Sequence, residues 1–142
     1  MGRRMFSGGE GPWEEDPVAD GWWGDDPPFR VPVFVLTRHP RETVAKQGGT
    51  SFIFVTDGLE SALAQARQAA GDKDVAVAGG ANVVQQCLNP GLLDQMQIHL
   101  VPAFLGAGVR LFDQLGDSRR DLEVERAIHS PAVTHIRYRL TT

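Results

Sequence analysis

Beyond residue 30 the apolar positions fall into short runs divided by turn residues. Val33-Phe34-Val35-Leu36 and Phe52-Ile53-Phe54-Val55 are rich in β-branched and aromatic side chains, the pattern of strands covered on both faces. Between Asp57 and Gly71 the period changes. Leu59, Ala62, Leu63, Ala66 and Ala70 share one helical face, with Asp57 as the expected N-cap, Glu60 completing a capping box and Gly71 ending the helix. Val75-Ala76-Val77-Ala78 predicts a buried strand and Gly79-Gly80 a tight exit. Ala81 to Leu88 predicts a short helix stopped near Pro90-Gly91. This strand and helix alternation implies parallel pairing. After Asp94 the pattern predicts a strand over Gln95 to Val101 and a glycine-punctuated loop from Pro102 to Gly108. Alternating segments follow over Leu122 to Ile128 and Val133 to Leu140, and His129-Ser130-Pro131-Ala132 is too short a connection for a crossover helix. The expected class is therefore α/β, with a mixed, mostly parallel sheet closed by an antiparallel hairpin.

Residues 1–32 carry a different signal: eleven are Gly or Pro, and Glu14, Glu15, Asp16, Asp20, Asp25 and Asp26 make them acidic. This stretch is expected to be mostly loop, yet it contains all three tryptophans, Trp13, Trp22 and Trp23. So much aromatic surface predicts an ordered flap packed on an α/β body over residues 33–142. The 142 residues are the size of a single domain. The net charge of −4 argues against broad attraction to nucleic acid, and no apolar run approaches a membrane span. Phe6 breaks a myristoylation pattern, and Gly8-Gly9-Glu10-Gly11 stands where a twin-arginine signal needs an apolar region. The lone cysteine, Cys87, cannot form an internal bridge, so a cytoplasmic location is expected.

Three elements are suited to chemistry. A strand ending in Gly79-Gly80 and opening a helix at Ala81-Asn82-Val83 offers backbone N–H groups that a phosphate can approach without meeting a Cβ. The same pair also reads as nothing more than a sharp turn. Thr37-Arg38-His39-Pro40 follows a strand at its carboxyl end, where α/β sheets place their ligands, and a hydroxyl beside a guanidinium suits a phosphate monoester. An adenosine 2′-phosphate fits that pair; a solvated turn is the plainer reading. Gly2-Arg3-Arg4 is a third, basic element that by itself is only a charged terminus.

Taken in order and spacing, Gly2-Arg3-Arg4-Met5-Phe6, Val35-Leu36-Thr37-Arg38, Gly79-Gly80-Ala81-Asn82-Val83, His99-Leu100-Val101-Pro102, Leu105-Gly106-Ala107-Gly108 and Leu111-Phe112 resemble the dihydrofolate-reductase-like superfamily. The branch most similar is the reductase domain of bacterial riboflavin biosynthesis, the C-terminal part of the bifunctional deaminase-reductase. The resemblance implies a three-layer α/β/α fold, hydride transfer from NADPH to a small heterocyclic or carbonyl substrate, and a homodimer. The implied substrate resembles 5-amino-6-(5-phosphoribosylamino)uracil. By the same carry-over, Gly79, Gly80, Ala81, Asn82 and Val83 hold the pyrophosphate, Thr37 and Arg38 the adenosine 2′-phosphate, and Gly2, Arg3 and Arg4 the phosphate bridge from another side. No catalytic residue is assigned. Members usually begin with a central strand and a Ser/Leu-Asp-Gly element, and the present sequence starts after that point, about forty residues into the pattern. Unpaired strand edges and an exposed apolar groove are the expected consequence, unless upstream residues exist or Trp13, Trp22, Trp23 and Phe29 cover the gap. Met5 also stands where members commonly carry a hydroxyl.

The remaining candidates give little. His39, His99, His129 and His135 lack close metal-ligand spacing, and neither a CxxC nor a G-x-S-x-G occurs. Cys87 reads as a buried structural thiol, and Arg137 and Arg139 as a solvated sheet face. Against the NADPH-dependent reductase stands a module that binds a nucleotide or dimerises without catalysis, truncated at its N-terminus.

Overall fold

The computed structural model describes residues 1–116 and 119–141. The chain forms two compact units, Met1–Val83 and Val84–Thr142.

In the first unit the two apolar runs become β1 (Pro32–Leu36) and β3 (Ser51–Val55), parallel and in register from Pro32 opposite Ser51 to Leu36 opposite Val55. A two-residue strand not expected from the sequence, β2 (Val44–Ala45), pairs antiparallel with the start of β3. On the other edge of β1, Met1 and Gly2 begin a parallel ladder. The Met1 amino group donates to Phe34 O at 2.7 Å, Leu36 N–H donates to Met1 O at 2.9 Å, and Gly2 bridges Leu36. Gly2 leads directly into α1 (Arg3–Ser7), a helix within the stretch expected to be mostly loop.

The core is aromatic. Phe6 is fully buried, with its ring edge-on to Phe52 (centroids 4.9 Å apart), Phe54 (5.3 Å) and Trp13 (6.0 Å). Trp23 and Phe29 pack against the same cluster, while Trp22 is half exposed. The 1–30 segment is thus held to the sheet by its rings.

Helix α2 (Leu59–Ala70) begins and ends where the periodicity places it, and Gly71 N–H closes it on Arg67 O. Its cap differs from expectation. Gly58, at φ +94°, occupies the N-cap without a side-chain bond, and the Asp57 carboxylate instead accepts from its neighbour Thr56 Oγ1. The capping box is therefore not formed. The predicted buried strand at Val75–Ala78 is also corrected: these residues join no β-ladder, although half-buried Val75 and Val77 alternate with exposed Ala76 and Ala78. A strand exists only through a paired neighbour, and local apolarity does not supply one. An apolar groove of about 420 Å³ lies in this unit, lined among others by Val33, Leu36, Leu63, Ala66, Val77 and Val83.

Helix α3 (Ala81–Leu88) has the predicted bounds and leads into the second unit. There β4 (Gln95–Leu100), β5 (Leu122–Ser130) and β6 (Val133–Leu140) form an antiparallel sheet in the order β4-β6-β5. The closing hairpin is as expected, with a tighter turn: His129 and Ser130 extend β5, leaving Pro131-Ala132 at the tip. Between Val124 and Arg126 the register shifts, and Glu125 accepts a 2.7 Å hydrogen bond from Arg139 Nε. The α/β class, the mixed pairing and the final hairpin hold; parallel pairing is confined to the first unit.

Candidate functional site

The residues expected to carry chemistry converge on one edge of the first unit, and Gly2 is what joins them. Its N–H donates to Gly79 O at 2.8 Å while its backbone bridges Leu36, the residue before Thr37-Arg38. Strands lie about 4.8 Å apart, so two such steps put the glycine pair about 10 Å from the carboxyl end of β1. Gly79-Gly80, Gly2-Arg3-Arg4 and Thr37-Arg38 therefore belong to one continuous edge.

Each element offers something different there. Gly79 has φ +111°, a region that favours glycine, and nothing lies within 4 Å of the place a Cβ would occupy on Gly79 or Gly80. The peptide between the two is cis. Ala81, Asn82 and Val83 open α3 immediately after them; Asn82 is exposed and Val83 buried. This is the bare-backbone approach that an anion needs.

At the other end of the edge, the Thr37 hydroxyl accepts from His39 N–H at 3.1 Å, closing a local turn. The His39 carbonyl takes a 2.9 Å hydrogen bond from Trp13 Nε1, which ties the turn to the flap. Arg38 is exposed, and among the described residues no hydrogen bond or ion pair engages its guanidinium. A fixed turn thus presents a cation that has not been neutralised.

The Gly2-Arg3-Arg4 element is largely engaged within the fold. Gly2 N–H is given to Gly79, and Gly2 O accepts from Met5 and Phe6 N–H at the start of α1. Arg3 is buried, its Nη2 lies 2.7 Å from Asp16 Oδ2, and its guanidinium stacks 3.3 Å over the Trp13 ring. Asp16 also accepts from Ser7 Oγ at 2.7 Å and from Val18 N–H at 3.0 Å. Burial pushes the Asp16 carboxyl up, but the bonds from Ser7, Val18 and Arg3, with the Arg3 charge, outweigh it and hold the group below its ordinary value. Arg4 alone of the three is exposed, and it pairs with Glu10.

Sequence reasoning missed the second clamp. Arg41 donates to Ala19 O, pairs with Asp20 at 2.5 Å and lies 4.9 Å from the Trp13 ring centroid, so two arginines hold Trp13 and hence the turn below Arg38. No periodicity links positions 13, 16 and 41; only the loop's acidity hinted that cations would seek it. The apolar groove is walled by neither Thr37-Arg38 nor the glycine pair. Cys87 is buried, and burial pushes its thiol up.

The edge can receive an elongated ligand with two anionic groups, one toward the glycines and one toward Arg38. The sequence pattern of the RibD C-terminal domain matches residues 5–135. A crystal structure of a putative riboflavin biosynthesis protein from Shewanella sp. PV-4 is similar at 26% identity and TM-score 0.60, over 81% of this chain and 63% of that one. A pyrimidine reductase-like protein from Corynebacterium diphtheriae shares the fold at 18% identity and TM-score 0.52, over 77% of this chain and 50% of that one. The riboflavin biosynthesis reductase Rib7 of Saccharomyces cerevisiae does so at 17% and 0.53, over 79% and 57%. The chain thus spans less than two thirds of each of these proteins. No curated protein sequence matches it. No helix among the described residues is long and apolar enough to cross a membrane. With the match running over most of its length, the chain belongs to the RibD C-terminal domain family, whose dihydrofolate-reductase-like α/β fold it shares.

Proposed function

We propose that the chain grips NADPH along this edge as part of a reductase of the riboflavin-biosynthesis type. The observation that carries the proposal is the Leu36–Gly2–Gly79 connection, which puts an unneutralised arginine and a bare glycine backbone on one edge. Arg38, beside Thr37, would hold the adenosine 2′-phosphate, and the N–H groups at Gly79, Gly80, Ala81, Asn82 and Val83 the pyrophosphate. Two observations of fit support this: the open space above both glycines and the free guanidinium. When bound, the nicotinamide would supply a hydride. The chain's own part is to orient. Gly2 spaces the two phosphate subsites, and Arg3 and Arg41 fix Trp13 and, through its bond to His39 O, the turn bearing Arg38. Arg3 is thereby a positioning residue, and Arg4 remains as a surface cation at the near side of the bridge.

The substrate under this reading is a small heterocycle of the 5-amino-6-(5-phosphoribosylamino)uracil kind, in a cytoplasmic homodimer. The chain spans 63% of the Shewanella protein. A module that binds nucleotide without reducing anything is the second reading.

Trp13 bonds to the turn that carries Arg38, so its fluorescence reports occupancy there. The test is titration of the full chain with NADPH and with NADH. A charge-assisted phosphate contact is worth about 1.5–3 kcal/mol, which predicts NADPH binding at least tenfold tighter, with the preference abolished in Arg38→Ala. Equal affinity for both nucleotides in the unaltered chain would refute the assignment. NADPH oxidation with substrate distinguishes the reductase from the module.

A further inference from the structure

We propose that His99 and His135 form a two-imidazole site for a borderline transition-metal dication, Cu²⁺, Ni²⁺ or Zn²⁺, on the solvent face of the second sheet. The argument begins with register. His99 on β4 stands directly opposite His135 on β6. One bond outside the strand ends fixes which kind of opposition this is: Leu140 N–H donates to Asp94 O at 3.0 Å, so positions 94 and 140 are a hydrogen-bonded pair. Antiparallel pairs alternate, and five steps along the ladder make 99 and 135 a non-hydrogen-bonded pair. That geometry brings opposing Cα atoms to about 4.5 Å and their side chains closer than in a hydrogen-bonded pair.

The side chains use the proximity. The rings are edge-on with centroids 4.7 Å apart, and both Nδ1 atoms converge, 2.5 Å from each other. A metal held at 2.0–2.1 Å by each nitrogen with a near-tetrahedral angle separates them by about 3.3 Å. His99 is exposed and His135 half-buried, so a small turn of the rings opens that gap without disturbing a core. His129 is not part of the pair. It stands opposite Thr134 and therefore on the other face, where its Nδ1 meets the Thr134 hydroxyl at 3.2 Å.

The surroundings select the metal. On the face of His99 and His135 the flanking residues are Gln97, Arg137 and, from β5, Ile128 and Arg126. Gln97 is held by Arg137 at 3.4 Å. The carboxylate of Glu125, at the register shift of β5, is engaged by Arg139. Hard cations such as Ca²⁺ and Mg²⁺ require several oxygens, which are lacking, whereas imidazole suits Cu, Ni and Zn. Among the described residues no group of three or more His, Cys, Asp or Glu is arranged to hold a metal, so the chain contributes two nitrogens and solvent completes the shell.

The test uses the full, tag-free chain with Cu²⁺ as the probe, followed by calorimetry and by electron paramagnetic resonance, with Ni²⁺ as a second ion. One equivalent of Cu²⁺ with coupling to two imidazole nitrogens is expected. His99→Gln or His135→Gln should each weaken binding at least tenfold and reduce the coupling to one nitrogen, while His129→Gln leaves both unchanged. Both substitutions are at accessible strand positions, and circular dichroism confirms that the sheet persists. Undiminished binding in the double variant His99→Gln/His135→Gln, a loss equal to theirs in His129→Gln, or no stoichiometric binding by the unaltered chain overturns the proposal.

Discussion

Replacing Asp16 with Asn removes one charge from a pair that is almost fully enclosed: the side chains of Arg3 and Asp16 are only 8% and 2% exposed. Breaking one side of such a pair leaves the other charge buried and unpaired, and costs about 3 kcal/mol. An Asn keeps an oxygen for the Val18 N–H, so the charge, the 2.7 Å Arg3 contact and the ionised acceptor for Ser7 are what is lost. With a urea slope of about 2 kcal/mol per M, the midpoint should fall by about 1.5 M. All three tryptophans lie between positions 13 and 23, so fluorescence reads unfolding of the first unit. A second substitution isolates the cause. In Arg3→Met/Asp16→Asn no unpaired charge remains, and the double variant should be less destabilised than the sum of the two single changes.

The pH dependence has a definite sign. The Asp16 carboxyl is held below its ordinary value of 3.8, so its stabilisation is fully present above that value and is lost as pH falls through the lower folded value. Asn does not titrate there. The stability gap between the unaltered chain and Asp16→Asn should accordingly be constant above about pH 5 and close progressively below 3.8. A gap under about 0.5 kcal/mol at neutral pH, or one that widens on acidification, would show that Arg3 is solvated and the clamp is not as described.

Phe6→Ala deletes a fully buried ring that meets Phe52, Phe54 and Trp13, and should cost about 3–5 kcal/mol in urea unfolding followed by tryptophan fluorescence. Cys87 is buried with its thiol pushed up, so a disulfide-exchange reagent should react with the native chain at least tenfold more slowly than with the urea-unfolded chain, scored by thiolate release.

What was legible in the sequence follows a physical division. The runs at 33–36 and 52–55 were readable because strands covered on both faces are apolar at every position, and the structure extends each by one residue, to Pro32 and Ser51. Pro32 suits the start of a strand, where no N–H is required of it. Helices α2 and α3 were readable because their apolar spacing is local. By contrast, Arg-Arg-Met-Phe-Ser shows no periodic face, and α1 is held by Phe6 entering an aromatic cluster drawn from residues up to 54. The 75–78 segment has the composition of a strand and no ladder partner, which composition cannot reveal. The glycine pair and the Thr-Arg element were identified by their chemistry, but the sequence could not say that Arg3 faces inward. That depends on Asp16, thirteen positions away and on no common period.

Gly2 shows how such contacts assign roles that a motif leaves open. A glycine before two arginines invites a phosphate, yet each of its backbone groups already has a partner: the N–H goes to Gly79, and the carbonyl receives the first turn of α1. The added Cβ of any other residue would lie 3.1 Å from Val83 Cγ2, a tight contact that Val83 would have to yield to, so packing alone favours a glycine here. The same bonds that withdraw Gly2 from a ligand set the distance between Arg38 and Gly79, the two places where charge and bare backbone remain available. Under the proposed reading the anion contacts would therefore come from the two flanks, with the segment between them serving as their spacer.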